Sequence, residues 1–159
     1  MTSLGGVAVM KEIIPLEMVC VHAGDRRAAL IIDWGAWLPA ELNPIYAREI
    51  DALRARGRKV AQIRNFHGNA GLVAVRHLFS RALGVAYSHG AHDIITVCAP
   101  RSARGYRTFG FEDMLADEPP RVWDLARDAD GNRLPTRLIR LAIDAIPPER
   151  LAEWLAVAP

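Results

Sequence analysis

The chain has 159 residues, with 20 Lys and Arg against 18 Asp and Glu, a formal net charge of +2. Hydrophobic residues make up 51% and charged residues 24%, which is typical of a globular protein and excludes disordered and membrane-spanning classes. The length predicts one domain over residues 1–159, and with no leader pattern and no membrane span the expected location is cytoplasmic. The small net charge, without a nucleic-acid-binding motif, predicts no nucleic acid partner.

The first part of the chain has the residues of β-strands. A first strand is expected within Val7–Ile14. The β-rich runs Leu16–His22 and Ala28–Asp33 flank a loop that contains Gly and Asp, which predicts an antiparallel hairpin.

A helix is expected next, with Asn43 as its N-cap and Gly57 at its end. Tyr46, Ile50 and Leu53 are spaced to share one face of this helix.

Val60–Phe66 predicts a strand, followed by a glycine-rich turn at His67–Gly71 and a long helix over Leu72–Ser88. The apolar face of this helix is expected to hold Leu72, Val75, Phe79, Ala82, Leu83 and Ala86. The polar face is expected to hold Arg76, His77, Ser80 and Arg81.

Ile94–Val97 reads as a buried central strand, which Pro100 ends because proline has no N–H to donate. Ser102 is the expected N-cap of a short helix, and Gly110 the left-handed residue after it. The remaining elements are expected to be a charged loop over Asp113–Asn132, a last strand over Leu138–Ile146 and a closing helix over Glu149–Val157.

The residues around this central turn resemble a known family. Pro100–Glu112 has the pattern Pro-Arg-x-Ala-x-x-Tyr-Arg-x-x-Gly-Phe-Glu, which is similar to the C-terminal half of GNAT-type acyltransferases. The likeness is strongest to the N-acyl amino acid synthases and their relatives, the acyl-homoserine-lactone synthases. The Leu38-Pro39 pair, the Gly57-Arg58 pair and the strand at Val60–Phe66 also resemble that family, and the similarity covers roughly residues 18 to 147.

The resemblance implies an α/β (α+β) fold of GNAT type. Such a fold has a mixed, mostly antiparallel sheet, helices on both faces and a splayed central strand pair. The family's first strand and two helices are short or missing here, because only about fifteen residues precede the hairpin. We therefore expect a homodimer, since a fold without these elements would expose apolar surface.

In this fold, pantetheine lies between the splayed strands, so acyl-CoA or acyl-pantetheine is the implied co-substrate. The resemblance assigns donor contacts to Arg64, Asn65, Phe66, His67, Gly68, Asn69, Ala70, Gly71 and Arg101. A glycine turn before a helix can bind phosphate through backbone N–H groups, but it can equally serve as a plain helix entry.

Two residues are candidates for catalysis. Tyr106 stands where the family has the tyrosine that protonates the leaving thiolate, although it could equally be a core aromatic packing on Phe109 and Phe111. Gln62 stands where the synthases have Glu, and its amide can orient a substrate but cannot accept a proton as a base.

The implied function is transfer of a fatty acyl group from an acyl-carrier or coenzyme A thioester to the amine of an amino acid or similar acceptor. The alternative is a non-catalytic GNAT-fold module that binds an acyl thioester or a partner protein. Three departures from the family pattern, Gln62, Asn65 and Ala99, and the short front favour it. The arginines of the later turn, Arg101, Arg104 and Arg107, would suit an acidic acyl carrier protein or a coenzyme A phosphate.

Other polar and reactive residues have ordinary structural interpretations. Cys20 and Cys98 lie in apolar runs and are expected to be buried. The His89–Asp93 segment lacks a third or fourth metal ligand, so no metal site is predicted. The basic cluster at the end of the first helix, Arg54, Arg56, Arg58 and Lys59, is expected to be solvated and to interact with the helix dipole.

Overall fold

The computed structural model describes residues 16–23, 26–33, 44–68 and 71–157, which form a seven-stranded sheet with four α-helices. The strands are β1 Leu16–Ala23, β2 Arg26–Asp33, β3 Val60–Gly68, β4 Asp93–Cys98, β5 Glu112–Asp113, β6 Arg121–Arg127 and β7 Arg133–Ala142. The helices are α1 Ala47–Ala55, α2 Gly71–Ser88, α3 Pro100–Arg107 and α4 Pro148–Val157. The predicted first strand, Leu38-Pro39 and the turn residues Asn69 and Ala70 lie outside the described residues.

The strand order is β1-β2-β3-β4-β7-β5, with β6 also paired to β7. Every pair is antiparallel except β3 and β4, which run parallel. These two strands pair only between Val60–Gln62 and Asp93–Ile95, although β3 continues to Gly68 and β4 to Cys98. The prediction of a mixed, mostly antiparallel sheet with a splayed central strand pair is therefore confirmed.

Helices pack on both faces of this sheet. On one face, α1 and the 3₁₀ turn before it bury Tyr46, Ile50 and Leu53 against strand residues that include Ile95 and Leu138. The shared helix face predicted for these three residues is confirmed, and burying each such side chain stabilises the fold by roughly 1.5–3 kcal/mol. The other face carries α2 and α4 over a core of Ala61, Ile63, Leu78, Phe79, Ala82, Leu83, Ala86, Ile94, Phe111, Ile139, Leu141 and Trp154.

Helix α2 begins one residue before its predicted start and ends where expected. The prediction that Ser80 lies on its polar face is wrong, because this side chain is fully buried and donates a hydrogen bond to the backbone carbonyl of Trp154. The sequence pattern of α2 could not show this, since α4 packs against that side of the helix.

Two helix starts differ from expectation. Ser102 is not an N-cap, because α3 already begins at Pro100 with Ala99 in the cap position. Proline suits the first turn of a helix, where its missing N–H would have no partner. A 3₁₀ turn at Pro44–Tyr46 precedes α1, which ends at Ala55, two residues before Gly57.

The predicted charged loop over Asp113–Asn132 is wrong, because it contains β6, Arg121–Arg127. Strand β7 also begins five residues before the predicted Leu138 and ends at Ala142, where a 3₁₀ turn follows. Contacts of Arg121 join the start of β6 to the region of α1. Arg121 donates to the Glu49 carboxylate at 2.8 Å, and its guanidinium lies 5.0 Å from the centre of the Tyr46 ring. Such long-range contacts do not show in the local pattern.

Candidate active site at the splayed strands

A buried ion cluster holds the closed end of the splayed pair. Asp93, the first residue of β4, is fully buried and accepts hydrogen bonds from Arg58 Nε at 2.6 Å, Arg58 Nη2 at 3.0 Å and Arg140 Nε at 2.8 Å. Arg58 also contacts the exposed Asp144 at 2.7 Å and keeps the pKa of that carboxyl below its usual value. The interpretation of Arg58 as a solvated dipole partner is wrong, because it joins the start of β3 to β4 and to the turn after β7.

The pairing of β3 with β4 ends at Gln62, although β3 itself continues to Gly68. Five of the predicted donor contacts, Arg64, Asn65, Phe66, His67 and Gly68, lie on this part of β3. The expectation that His67 and Gly68 belong to the turn is wrong, since they pair with Ala29 and Ala28 of β2. Gly71 is also not part of a turn, because it is the first residue of α2.

Tyr106 lies on α3, on the α2 side of the sheet. Its ring packs edge-on against Phe111, with ring centres 5.1 Å apart, and the nearby Thr96 side chain has a small lowering effect on the pKa of its hydroxyl. Burial, and next the neighbouring Cys98 thiol, raise the pKa of Tyr106 to about 12, so the hydroxyl keeps its proton at neutral pH. Thr96 follows the last β4 residue that pairs with β3, which puts the phenol where the strands begin to diverge.

Gln62 is buried at the same level of the sheet. Its neighbours Ala61 and Ile63 belong to the core on the α2 side, while Val60 belongs to the core under α1. Because side chains alternate along a strand, Gln62 lies on the α1 face. The two catalytic candidates thus flank the start of the splay from opposite faces of the sheet.

The three arginines of α3 do not form one cluster at the splay. Arg101 lies in the first turn, next to the end of β4, and Arg107 lies in the last turn. An eight-residue helix is about 12 Å long, so residues at its two ends lie beside different parts of the sheet. Arg101 remains near the open end of the strands, whereas Arg107 lines a cavity beside the end of β7.

Sequence reasoning gave no role in this region to two residues. Asp93, considered only as part of a metal-binding segment, is the charged first residue of an otherwise apolar strand, and Thr96 is the one hydroxyl within that strand. Cys98 is a free, half-buried thiol whose pKa burial raises to about 11, with a smaller effect of Asp113. In the described ranges, no three His, Cys, Asp or Glu side chains are grouped to hold a metal ion, and none of the helices found there could cross a membrane.

Comparison with solved structures identifies the class of fold. The chain is similar to an N-acyl amino acid synthase, FeeM, from uncultured soil microbes, with a TM-score of 0.61 and 18% identity over 99% of this chain and 88% of that one. It is also similar to the CoA-dependent acyl-homoserine lactone synthase BjaI, with a TM-score of 0.51 and 9% identity over 87% of this chain and 62% of that one. The predicted GNAT-type acyltransferase fold is confirmed.

The sequence itself defines the family. Residues 29–124, well over half of the chain, match the family model described as N-acyl amino acid synthase FeeM. The chain belongs to this family, which confirms the predicted resemblance and the general function of acyl transfer to an amine. A search of curated proteins found no match.

Proposed function

We propose that this protein is an enzyme that transfers a fatty acyl group from a pantetheine thioester to the amine of an amino acid. The observation that carries the proposal is the early end of β3–β4 pairing, because it leaves a gap beside a protonated phenol. Backbone groups of β3 beyond Gln62 could pair with the amides of pantetheine, as an added strand pairs with a sheet edge.

In the proposed reaction the amine nitrogen attacks the thioester carbonyl carbon, a C–N bond forms and the C–S bond breaks. Tyr106 gives its proton to the departing thiolate, and the proton lost by the amine restores the phenol. Gln62 orients the acceptor by hydrogen bonding and accepts no proton, so the amine reacts in its neutral form. Thr96, whose side chain lies near the Tyr106 hydroxyl, would help to orient it at the start of the splay.

We further propose coenzyme A or an acidic acyl carrier protein as the carrier of the acyl group. The structure of the similar homoserine lactone synthase was solved with isopentyl-CoA, which supports a coenzyme A thioester. The predicted donor contacts from Arg64 to Gly71 would hold pantetheine and its phosphates, and the exposed Arg101 would meet the charged end of the carrier. The proposed location is the cytoplasm, where coenzyme A thioesters are made and used.

A homodimer is part of the proposal. Among the described side chains, the large hydrophobic residues Tyr87 and Val122 are strongly exposed, at 50% and 52%, and an apolar contact between copies would bury them. Light scattering at high protein concentration should give twice the monomer mass.

Mass spectrometry tests the activity directly. The purified protein is incubated with acyl-CoA or acyl carrier donors of several chain lengths and a mixture of amino acids. The proposal predicts an N-acyl amino acid and free thiol in equal amounts. Gln62 in place of the family's Glu favours one alternative, a non-catalytic module, for which the thioester would bind without any product forming.

A further inference from the structure

A cavity of about 620 Å³ opens at the end of the sheet away from the splay. It lies among β5, the last residues of β7 and α4, and its lining includes Arg140, Leu141 and Ala142. Arg140 and Ala142 pair with Ile95 and Asp93, which belong to the part of β4 that is still paired with β3. None of the described residues that line it belongs to β3 or β4, so the cavity is separate from the proposed thioester site between those strands.

Two arginines at this cavity have uncompensated charges. Arg107 from α3 and Arg150 from α4 are exposed, and within the described part of the chain neither guanidinium makes a hydrogen bond or an ion pair. Arg140 differs, because Asp93 already binds it. Of the two carboxylates in the lining, Asp113 is paired with Arg137 at 2.5 Å, while Glu112 is exposed and has no such partner among the described residues.

The cavity also has an aromatic wall. Phe109 and Trp154 meet edge-on with ring centres 5.6 Å apart, and Trp154 is only 9% exposed. Ile146 and Met114 extend the apolar lining. The volume lies within the range of roughly 300–1,000 Å³ that is typical of small-molecule sites, which combine apolar walls with a few polar groups.

We infer that this cavity is a second binding site, for a small carboxylate with an apolar body about the size of an aromatic amino acid. The carboxylate would bind the planar guanidinium groups of Arg107 and Arg150, which present paired N–H donors. Its apolar body would pack on Phe109 and Trp154. A free amino acid and an N-acylated amino acid both carry this chemistry, but only the free one has an ammonium group for Glu112.

Calorimetry with phenylalanine and with N-acetylphenylalanine tests the inference and separates these two sources. The Arg107→Gln/Arg150→Gln double variant should bind at least one of the two compounds about a hundredfold more weakly than wild type. Each substitution removes a hydrogen bond to a charged group, which costs about tenfold in affinity. Arg104→Gln is the matched control, since it removes an exposed arginine of α3 that does not line the cavity. If the free amino acid is the ligand, Glu112→Gln should weaken phenylalanine binding and leave N-acetylphenylalanine binding unchanged.

Three results would overturn the inference. Wild-type protein could bind neither compound, the double variant could bind both as tightly as wild type, or saturating coenzyme A could displace the ligand and so place it in the splay. All the substituted residues are exposed, so the fold should be kept, and thermal unfolding of each variant checks this. Because no acyl donor is needed, the outcome is independent of whether the chain catalyses acyl transfer.

Discussion

Asp93→Asn should severely destabilise the fold, because Asp93 is the fully buried centre of the ion cluster at the closed end of the splay. Its carboxylate accepts three hydrogen bonds from Arg58 and Arg140. An amide keeps one oxygen and turns an NH₂ group toward the guanidinium donors, so about two charge-assisted bonds are lost at roughly 1.5–3 kcal/mol each. The sum agrees with the ~3–5 kcal/mol expected when one partner of a buried ion pair is removed.

Urea unfolding followed by circular dichroism measures this loss, with Asp144→Asn as the matched control. Asp144 bonds the same Arg58, but its side chain is 51% exposed, so its removal should cost less than about 1 kcal/mol. Arg58 lowers the pKa of Asp144, so this small stabilisation is present above the unfolded pKa and is lost as pH falls through the folded pKa. If both variants lost the same small amount, Asp93 would not hold the strands together.

Three further substitutions test separate parts of the account. Tyr106→Phe should spare thioester binding and lower turnover about 10²- to 10⁴-fold in a thiol-release assay, and wild-type turnover should show no loss of this acid up to about pH 10 because its pKa is about 12. Gly68→Val adds bulk to β3 beside the proposed donor site and should weaken coenzyme A binding by roughly ten- to a hundredfold in calorimetry; equal affinity would argue against donor contact there. Ser80→Ala should cost about 1 kcal/mol of unfolding free energy, because it leaves the buried Trp154 carbonyl without its donor, and the exposed Ser88→Ala should cost less.

Local patterns predicted those elements whose periodicity is set by burial. The α2 helix follows a 3.6-residue repeat because one long face is buried, and the prediction was within one residue of its bounds. Strand β6 was missed because Pro119-Pro120 and its charged residues resemble a loop, while its position depends on β7 and on the Arg121–Glu49 ion pair. No local pattern reports such distant partners.

The candidate site was likewise predictable only where its residues are contiguous in sequence. The Pro100–Glu112 motif placed Tyr106 on the correct short helix, because its residues are contiguous in sequence. The motif could not show that Thr96 lies near the Tyr106 hydroxyl or that Gln62 lies on the opposite face, since these depend on how β3 and β4 pair. The role of Asp93 likewise needs two arginines that lie 35 and 47 residues away.

Hydrogen exchange with and without coenzyme A tests the central claim most directly, because it locates the donor on the backbone. If pantetheine lies between the splayed strands, binding should slow exchange in β3 after Gln62, in β4 from Thr96 onward and at the start of α3. The strands at the closed end and α4 should change little. Protection confined to β5, β7 and α4, or no protection at a coenzyme A concentration that saturates binding, would contradict the proposed site.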